Sequence, residues 1–226
     1  KEKAYDKFGK NPKEAIKLYR KVLKIKPRDL DALINLGGLL SNTGRYRSAL
    51  VHLDKALKIK SKEVLALENK AITLSHLGNY KEALVFFNKV LKINPKRKHS
   101  LINKSLVLQK IGQQLYEKKE YKTSLRYFNE ALEINPIKSE NCDLLSDKGI
   151  SLAKLGENKE AMRCFNKALR ITPKCNNALE NKIILLKNTN RFIEALTLTN
   201  KLIIFYPKEK DYKKIRKSIL EKLKNE

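Results

Sequence analysis

The sequence repeats itself at an interval of 34 residues, and that interval constrains the fold more than any composition could. Gly44 and Gly78, Ala49 and Ala83, Ser61 and Pro95, and Pro173 and Pro207 each stand 34 positions apart. The reference copy runs from Gly78-Asn79-Tyr80-Lys81-Glu82-Ala83-Leu84 to Asn94-Pro95. Others open at Gly44-Arg45-Tyr46, Glu120-Tyr121, Gly156-Glu157-Asn158 and Asn190-Arg191-Phe192, and a truncated copy, Asn11 to Pro27, begins the chain. A period of this length marks a stacked array, in which one repeat cannot bury its apolar face without its neighbours.

Each recurring position has a physical reason. Ala15, Ala49, Ala83, Ser124, Ala161 and Ala195 are small, so two helices can approach closely there. Tyr19, Phe87, Phe128 and Phe165 follow one turn later on the same face, while Leu53 and Thr199 depart from the aromatic pattern. Pro27, Pro95, Pro136, Pro173 and Pro207 cannot continue a helix, and Ser61 takes that place once, where its hydroxyl is expected to cap the next helix. Gly44, Gly78, Gly156 and Asn190 fall where a helix must turn through a left-handed residue.

A 34-residue helix–turn–helix with small, aromatic and closing-proline positions resembles the tetratricopeptide-repeat (TPR) family over nearly the whole chain. The resemblance implies an all-α fold: a right-handed TPR superhelix of about thirteen helices. The expected divisions are a partial repeat at 1–29 and repeats at 30–63, 64–97, 98–138, 139–175 and 176–209. A capping helix at 210–226 completes the chain. Residues 1–9 read as the end of a first helix, with Tyr5 and Phe8 on one face. Asn11-Pro12-Lys13-Glu14 reads as an N-cap, a first-position proline and a first-turn acid. The fourth repeat breaks the period, because Tyr121 arrives seven residues late. Seven residues are two helical turns, so one long helix near 98–118 keeps its apolar face. Three more extra residues fall around 139–141. In the tail, Tyr212, Ile215, Ile219 and Leu223 share one face of an amphipathic helix.

With 42% hydrophobic and 33% charged residues the chain is globular rather than disordered. It begins at Lys1 rather than methionine and reads as a fragment, so targeting signals are not legible. No apolar run reaches the roughly 20 residues that span a bilayer. Cys142, Cys164 and Cys175 form an odd set without C-x-x-C spacing, which favours reduced thiols and a cytoplasmic setting. Cys164 reads as core packing.

Catalytic signatures are missing from the sequence: no Gly-rich phosphate loop, no H-E-x-x-H and no Gly-x-Ser-x-Gly. His52, His76 and His99 fall in three separate repeats, and the possible proximity of the last two supplies too few ligands for a metal. A non-enzymatic protein with no cofactor is expected.

The informative series is Asn35, Asn69 and Asn103, then Asp147 and Asn181, one short amide or carboxylate at the same place in five successive repeats. The family resemblance places such asparagines on the concave face, where they grip an extended peptide. An amide suits that role, because it offers a donor and an acceptor to a peptide group. The bland alternative is a motif copied by duplication and left idle in solvent, although asparagine is a mediocre helix former. Around the series, Ile72, Leu106, Ile150 and Ile184, with Glu68 and Glu180, set selectivity, and Gly38, Asp31 and Asp143 stand nearby. Ile34 with Gly38, and Glu68 with Ile72, occupy the places where chaperone-binding relatives carry a carboxylate clamp, so that specialisation is not expected. Lys70, Lys104, Lys148 and Lys182 read as snorkelling side chains.

The net charge is +26, and much of the excess lies in Lys10–Lys26, Lys92–Lys98 and Lys208–Lys224. A basic exterior attracts polyanions. Yet 10 of 50 basic residues are arginine, and no aromatics interleave with them on an exposed face, as single-strand binders require. The leading expectation is a scaffold holding an extended peptide or a partner's helix in a concave groove. The alternatives are a basic solenoid on RNA or another polyanion, and self-assembly by end-to-end stacking.

Overall fold

In the computed structural model, residues 11–137 and 141–224 are described. The expected helix end at residues 1–9, and part of the insertion around 139–141, lie outside them. Twelve α-helices and no strand occur among the described residues. They are α1 Pro12–Ile25, α2 Leu30–Asn42, α3 Tyr46–Ile59, α4 Val64–His76, α5 Tyr80–Ile93, α6 Lys98–Glu117, α7 Tyr121–Ile134, α8 Cys142–Lys154, α9 Asn158–Ile171, α10 Asn176–Asn188, α11 Phe192–Phe205 and α12 Lys210–Lys224.

Local chemistry sets these boundaries. Asn11 accepts from the Glu14 amide and Asp29 from the Ala32 amide at 2.9 Å, so α1 and α2 start on side-chain caps. Within hairpins, Gly44, Gly78, Gly156 and Asn190 all adopt positive φ, between 56 and 81°. The turn after α6 does the same with Lys119, at φ 64°. There the Lys119 and Glu120 amides donate to the Tyr116 and Leu115 carbonyls, both at 2.9 Å. A left-handed lysine carries Cβ strain of roughly 1–2 kcal/mol, which glycine avoids. Lys119→Gly is therefore expected to raise stability by about 1 kcal/mol, measured as the shift of a urea unfolding midpoint.

Between hairpins a common tight turn recurs: Asp29 to Lys26, Glu63 to Lys60, Arg97 to Asn94, Cys175 to Thr172 and Glu209 to Tyr206, with N–O distances of 2.9–3.2 Å. Ser61 does not cap α4, contrary to expectation. The N-cap residue is Glu63, which makes no side-chain cap bond and pairs instead with Lys60 at 2.6 Å, while Ser61 stays exposed. The turn forms without proline because its backbone bond is retained. The long helix is uninterrupted over Lys98–Glu117.

The chain divides into two compact units, Lys1–Val107 and Leu108–Glu226. In the first, Ile16, Leu36, Leu40, Ala49 and Leu53 form one cluster, and Leu33, Ile34, Ala56 and Ala66 another. In the second, Leu179, Ile183, Leu186, Phe192, Leu202, Tyr212 and Ile219 pack together, with Ile215 and Leu223 against them. The apolar face of α12 thus covers the last hairpin, as a capping helix should.

Of the two residues that depart from the aromatic pattern, Thr199 follows a rule of size and Leu53, opposite Gly37, does not. Sixteen positions before each aromatic-series residue stands a partner on the preceding helix. The pairs are Gly37 with Leu53, Ala71 with Phe87, Gly112 with Phe128, Gly149 with Phe165, and Ile183 with Thr199. A Cβ on Gly112 would lie 2.5 Å from the Phe128 ring, and one on Gly149 would lie 2.4 Å from Phe165. Where the first helix carries the larger Ile183, the second carries Thr199, and both are buried. Its hydroxyl is satisfied by the Ala195 carbonyl at 2.7 Å.

Candidate functional site

The five series residues stand on α2, α4, α6, α8 and α10, each half-buried, but their surroundings differ. In the first unit the Asn35 and Asn69 side chains make no hydrogen bond to another side chain among the described residues. Asn69 packs over Gly38, where an added Cβ would come within 3.2 Å of its amide nitrogen. Asn103 turns back along its own helix, donating to the His99 carbonyl at 2.9 Å. Leu106 is 53% exposed, and Ile72 is half-buried.

In the second unit the same positions are engaged across hairpins. Asp147 Oδ2 accepts from Gln109 at 2.6 Å and Gln113 at 2.8 Å, and the Asn181 amide donates to Ser146 at 3.0 Å. Beside them, Ile150 is half-buried and Ile184 is 54% exposed. Burial pushes the Asp147 carboxyl up from its ordinary value, and the two glutamine amides offset this in part. The folded state therefore favours the protonated acid. The resulting penalty is full above the raised folded-state value and vanishes below the ordinary aspartate range. Asp147→Asn is expected to stabilise the protein near neutral pH by up to about 1 kcal/mol, because an amide oxygen can still accept from both glutamines. The gain should fade in acid, as read by thermal melts across pH.

Two acids expected on the binding face have other work. Glu68 is 3% exposed, and its carboxylate sits inside the first unit. Arg97 grips it with two bonds, Nε at 2.9 Å and Nη2 at 2.6 Å, Ser100 donates to it, and His99 Nδ1 lies 3.2 Å away. Burial alone would push the Glu68 carboxyl up, but the Arg97 and Ser100 bonds, the Arg97 charge and the His99 bond outweigh it and hold it below its usual range. Glu68 is thus held in an ion pair with Arg97 inside the unit. Glu180 is held likewise, accepting from the Tyr212 hydroxyl at 2.6 Å and the Asn176 amide at 3.0 Å. Burial, with this acceptor beside it, pushes the Tyr212 phenol up to about 12.

Two of the following lysines are more than snorkelling groups. Lys70 reaches Asp54 at 2.6 Å and lies over the Phe86 ring, and Lys182 donates to Asn166 at 2.7 Å. His76 stacks on Tyr46 with ring centroids 5.3 Å apart, whereas His99 faces Glu68, so the two imidazoles have separate partners. Cys164 packs beside Leu152 and Phe165, consistent with its core role.

Three matches to family models described as tetratricopeptide repeat cover residues 10–71, 64–97 and 142–175. The chain belongs to the tetratricopeptide-repeat family. No curated protein matches its sequence. Among solved structures, YrrB, described as a TPR protein with an unusual peptide-binding site, is 23% identical. It covers 88% of this chain and 97% of its own, with a TM-score of 0.61. A TPR protein from Parabacteroides merdae is 22% identical over 96% of this chain and 83% of its own, with a TM-score of 0.62. The MamA 41-end structure from Desulfovibrio magneticus RS-1 is 19% identical over 87% and 97%, with a TM-score of 0.59. These likenesses are of fold: an all-α helical repeat. The family consists generally of non-enzymatic protein–protein interaction scaffolds. Among the described residues, no helix is long and apolar enough to cross a membrane.

Proposed function

We propose that this protein is a scaffold that holds an extended segment of a partner protein against the first-helix face of the Lys1–Val107 unit. Asn35, Asn69 and Asn103 grip the segment's main chain, and Ile72 and Leu106 receive its apolar side chains. The observation that carries this reading is the state of Asn35 and Asn69. Both are half-buried amides on helices that would be better served by other residues, and neither bonds to another side chain among the described residues. Their counterparts Asp147 and Asn181 hold hairpins together instead. The second unit, taken by itself, offers Ile150 and Ile184 as apolar positions, with Asp147, Asn181 and Glu180 as structural supports. The activity is non-enzymatic. The fold likeness to YrrB, whose description includes a peptide-binding site, is in keeping with it. Peptides selected from a random display library on the immobilised chain supply a ligand, and alanine variants of Asn35, Asn69 and Asn103 then measure the grip.

A further inference from the structure

Cys142, Asp143 and Cys175 come together in the second unit, with their Sγ and carboxylate oxygen atoms all within 4.8 Å of one another. Cys142 is the first residue of α8, and Cys175 immediately precedes α10. Cys175 Sγ lies 3.8 Å from Asp143 Oδ1. Two ligands of one tetrahedral zinc ion, each about 2.0–2.3 Å from the metal, stand roughly 3.5–3.8 Å apart. The three donor atoms, all within 4.8 Å of one another, are therefore within about 1 Å of the spacing that a shared ion requires.

A second observation points the same way. Cys175 occupies the N-cap position of α10, where Asp29 caps α2 through its carboxylate, yet it makes no side-chain cap bond. Cysteine is no substitute for the oxygen-bearing side chains that serve at this position; it is buried against Leu145, Ala168 and Ala178, with Cys142 packed beside it. The carboxylate is also oriented from outside the trio, because the Asn177 amide donates to Asp143 Oδ1 at 2.8 Å. Such an outer hydrogen bond is how metal-binding carboxylates are commonly held.

We propose that Cys142, Cys175 and Asp143 bind a zinc ion that links the start of α8 to the start of α10. On binding, each thiol gives its proton to solvent and forms a sulfur–zinc bond. Two thiolates and one carboxylate then supply three ligands, and Asp143, on the exposed side, leaves the fourth position open to water. The ion is a staple between successive hairpins rather than a catalyst. Cys164 takes no part.

The test uses the full chain, reduced with a phosphine, titrated with zinc against a chromophoric chelator and separately with cobalt. One ion per chain is expected, together with a thiolate-to-cobalt charge-transfer band and a higher melting temperature with zinc. Cys164→Ser should change nothing, Cys175→Ser should abolish the band, and Asn177→Ala should weaken zinc binding about tenfold or more. Cobalt binding without the band, zinc binding undiminished in Cys175→Ser, or a Cys142–Cys175 disulfide forming in a chain that takes up no zinc would each overturn the proposal. Should Cys175→Ser fail to fold, alkylation of the wild-type chain decides. Zinc must protect Cys142 and Cys175 while leaving Cys164 reactivity unchanged, and equal rates with and without zinc would refute the site.

Discussion

Replacing Arg97 with alanine is expected to cost the protein about 3 kcal/mol, because it strips a buried carboxylate of its bidentate partner. Glu68 would keep Ser100 and His99 but lose the two charged bonds at 2.6 and 2.9 Å. The cost falls at the lower end of the range for broken buried pairs, since the Arg97 side chain is 28% exposed. Arg97→Lys should recover little, because an ammonium cannot make the fork. The same pair predicts an acid limit to stability. The folded-state value of Glu68 lies below its ordinary one, so its contribution is complete above the ordinary glutamate range and is lost as pH falls through the lower folded value. Urea unfolding of wild type and Arg97→Ala across pH checks both statements: the gap between them should be wide at neutral pH and shrink in acid.

The second large effect concerns the size rule between facing helices. Phe165→Thr alone should cost about 3–5 kcal/mol by opening a cavity in a ring site that is 0% exposed. Gly149→Ile alone should cost about 3 kcal/mol or more, since even a Cβ there would fall 2.4 Å from the ring. Together they install the Ile183–Thr199 arrangement one repeat earlier. The double variant should then lie well above the sum of the singles, with a favourable coupling of about 2–3 kcal/mol. Additive losses in a denaturation cycle would show that the offset of sixteen is coincidence.

The fold was legible because its punctuation is chemical and local. A capping asparagine, a proline that cannot donate and a glycine at positive φ each act within a few residues, and the 3.6 and 34 periods agree on which face is apolar. Lys119 escaped because a lysine in the left-handed region leaves no mark in composition. Thr199 looked like a lapse in an aromatic series until its larger partner Ile183, sixteen residues earlier, was considered, whereas Leu53 faces Gly37 and the size rule does not explain it.

The candidate site was legible as a series of places, not of roles. Equivalent position fixes where a side chain leaves its helix. It does not say whether a neighbour 29–38 residues away will claim it. Glu68 is claimed by Arg97 and Ser100, Asp147 by Gln109 and Gln113, and Asn181 by Ser146. These partners sit on other helices or, for Arg97, in the turn just before one, and their setting is decided by packing. The Cys142–Cys175 proximity was hidden in the same way, because a spacing of 33 residues matches no local metal motif yet is one repeat less one residue. The usable signal was there: polar or thiol residues separated by about one period are candidates to touch.

The most direct test of the scaffold account is the affinity of a selected peptide for the triple variant Asn35→Ala, Asn69→Ala, Asn103→Ala, read beside its melting temperature. Each amide–backbone contact is worth about 0.5–1.5 kcal/mol net. A single substitution should therefore weaken binding several-fold, and the triple should reduce it about a hundredfold or more. The melting temperature should hold or rise, since alanine is the better helix former. Unchanged peptide affinity in the triple variant, or a fall in melting temperature that accounts for the lost binding, would contradict the account.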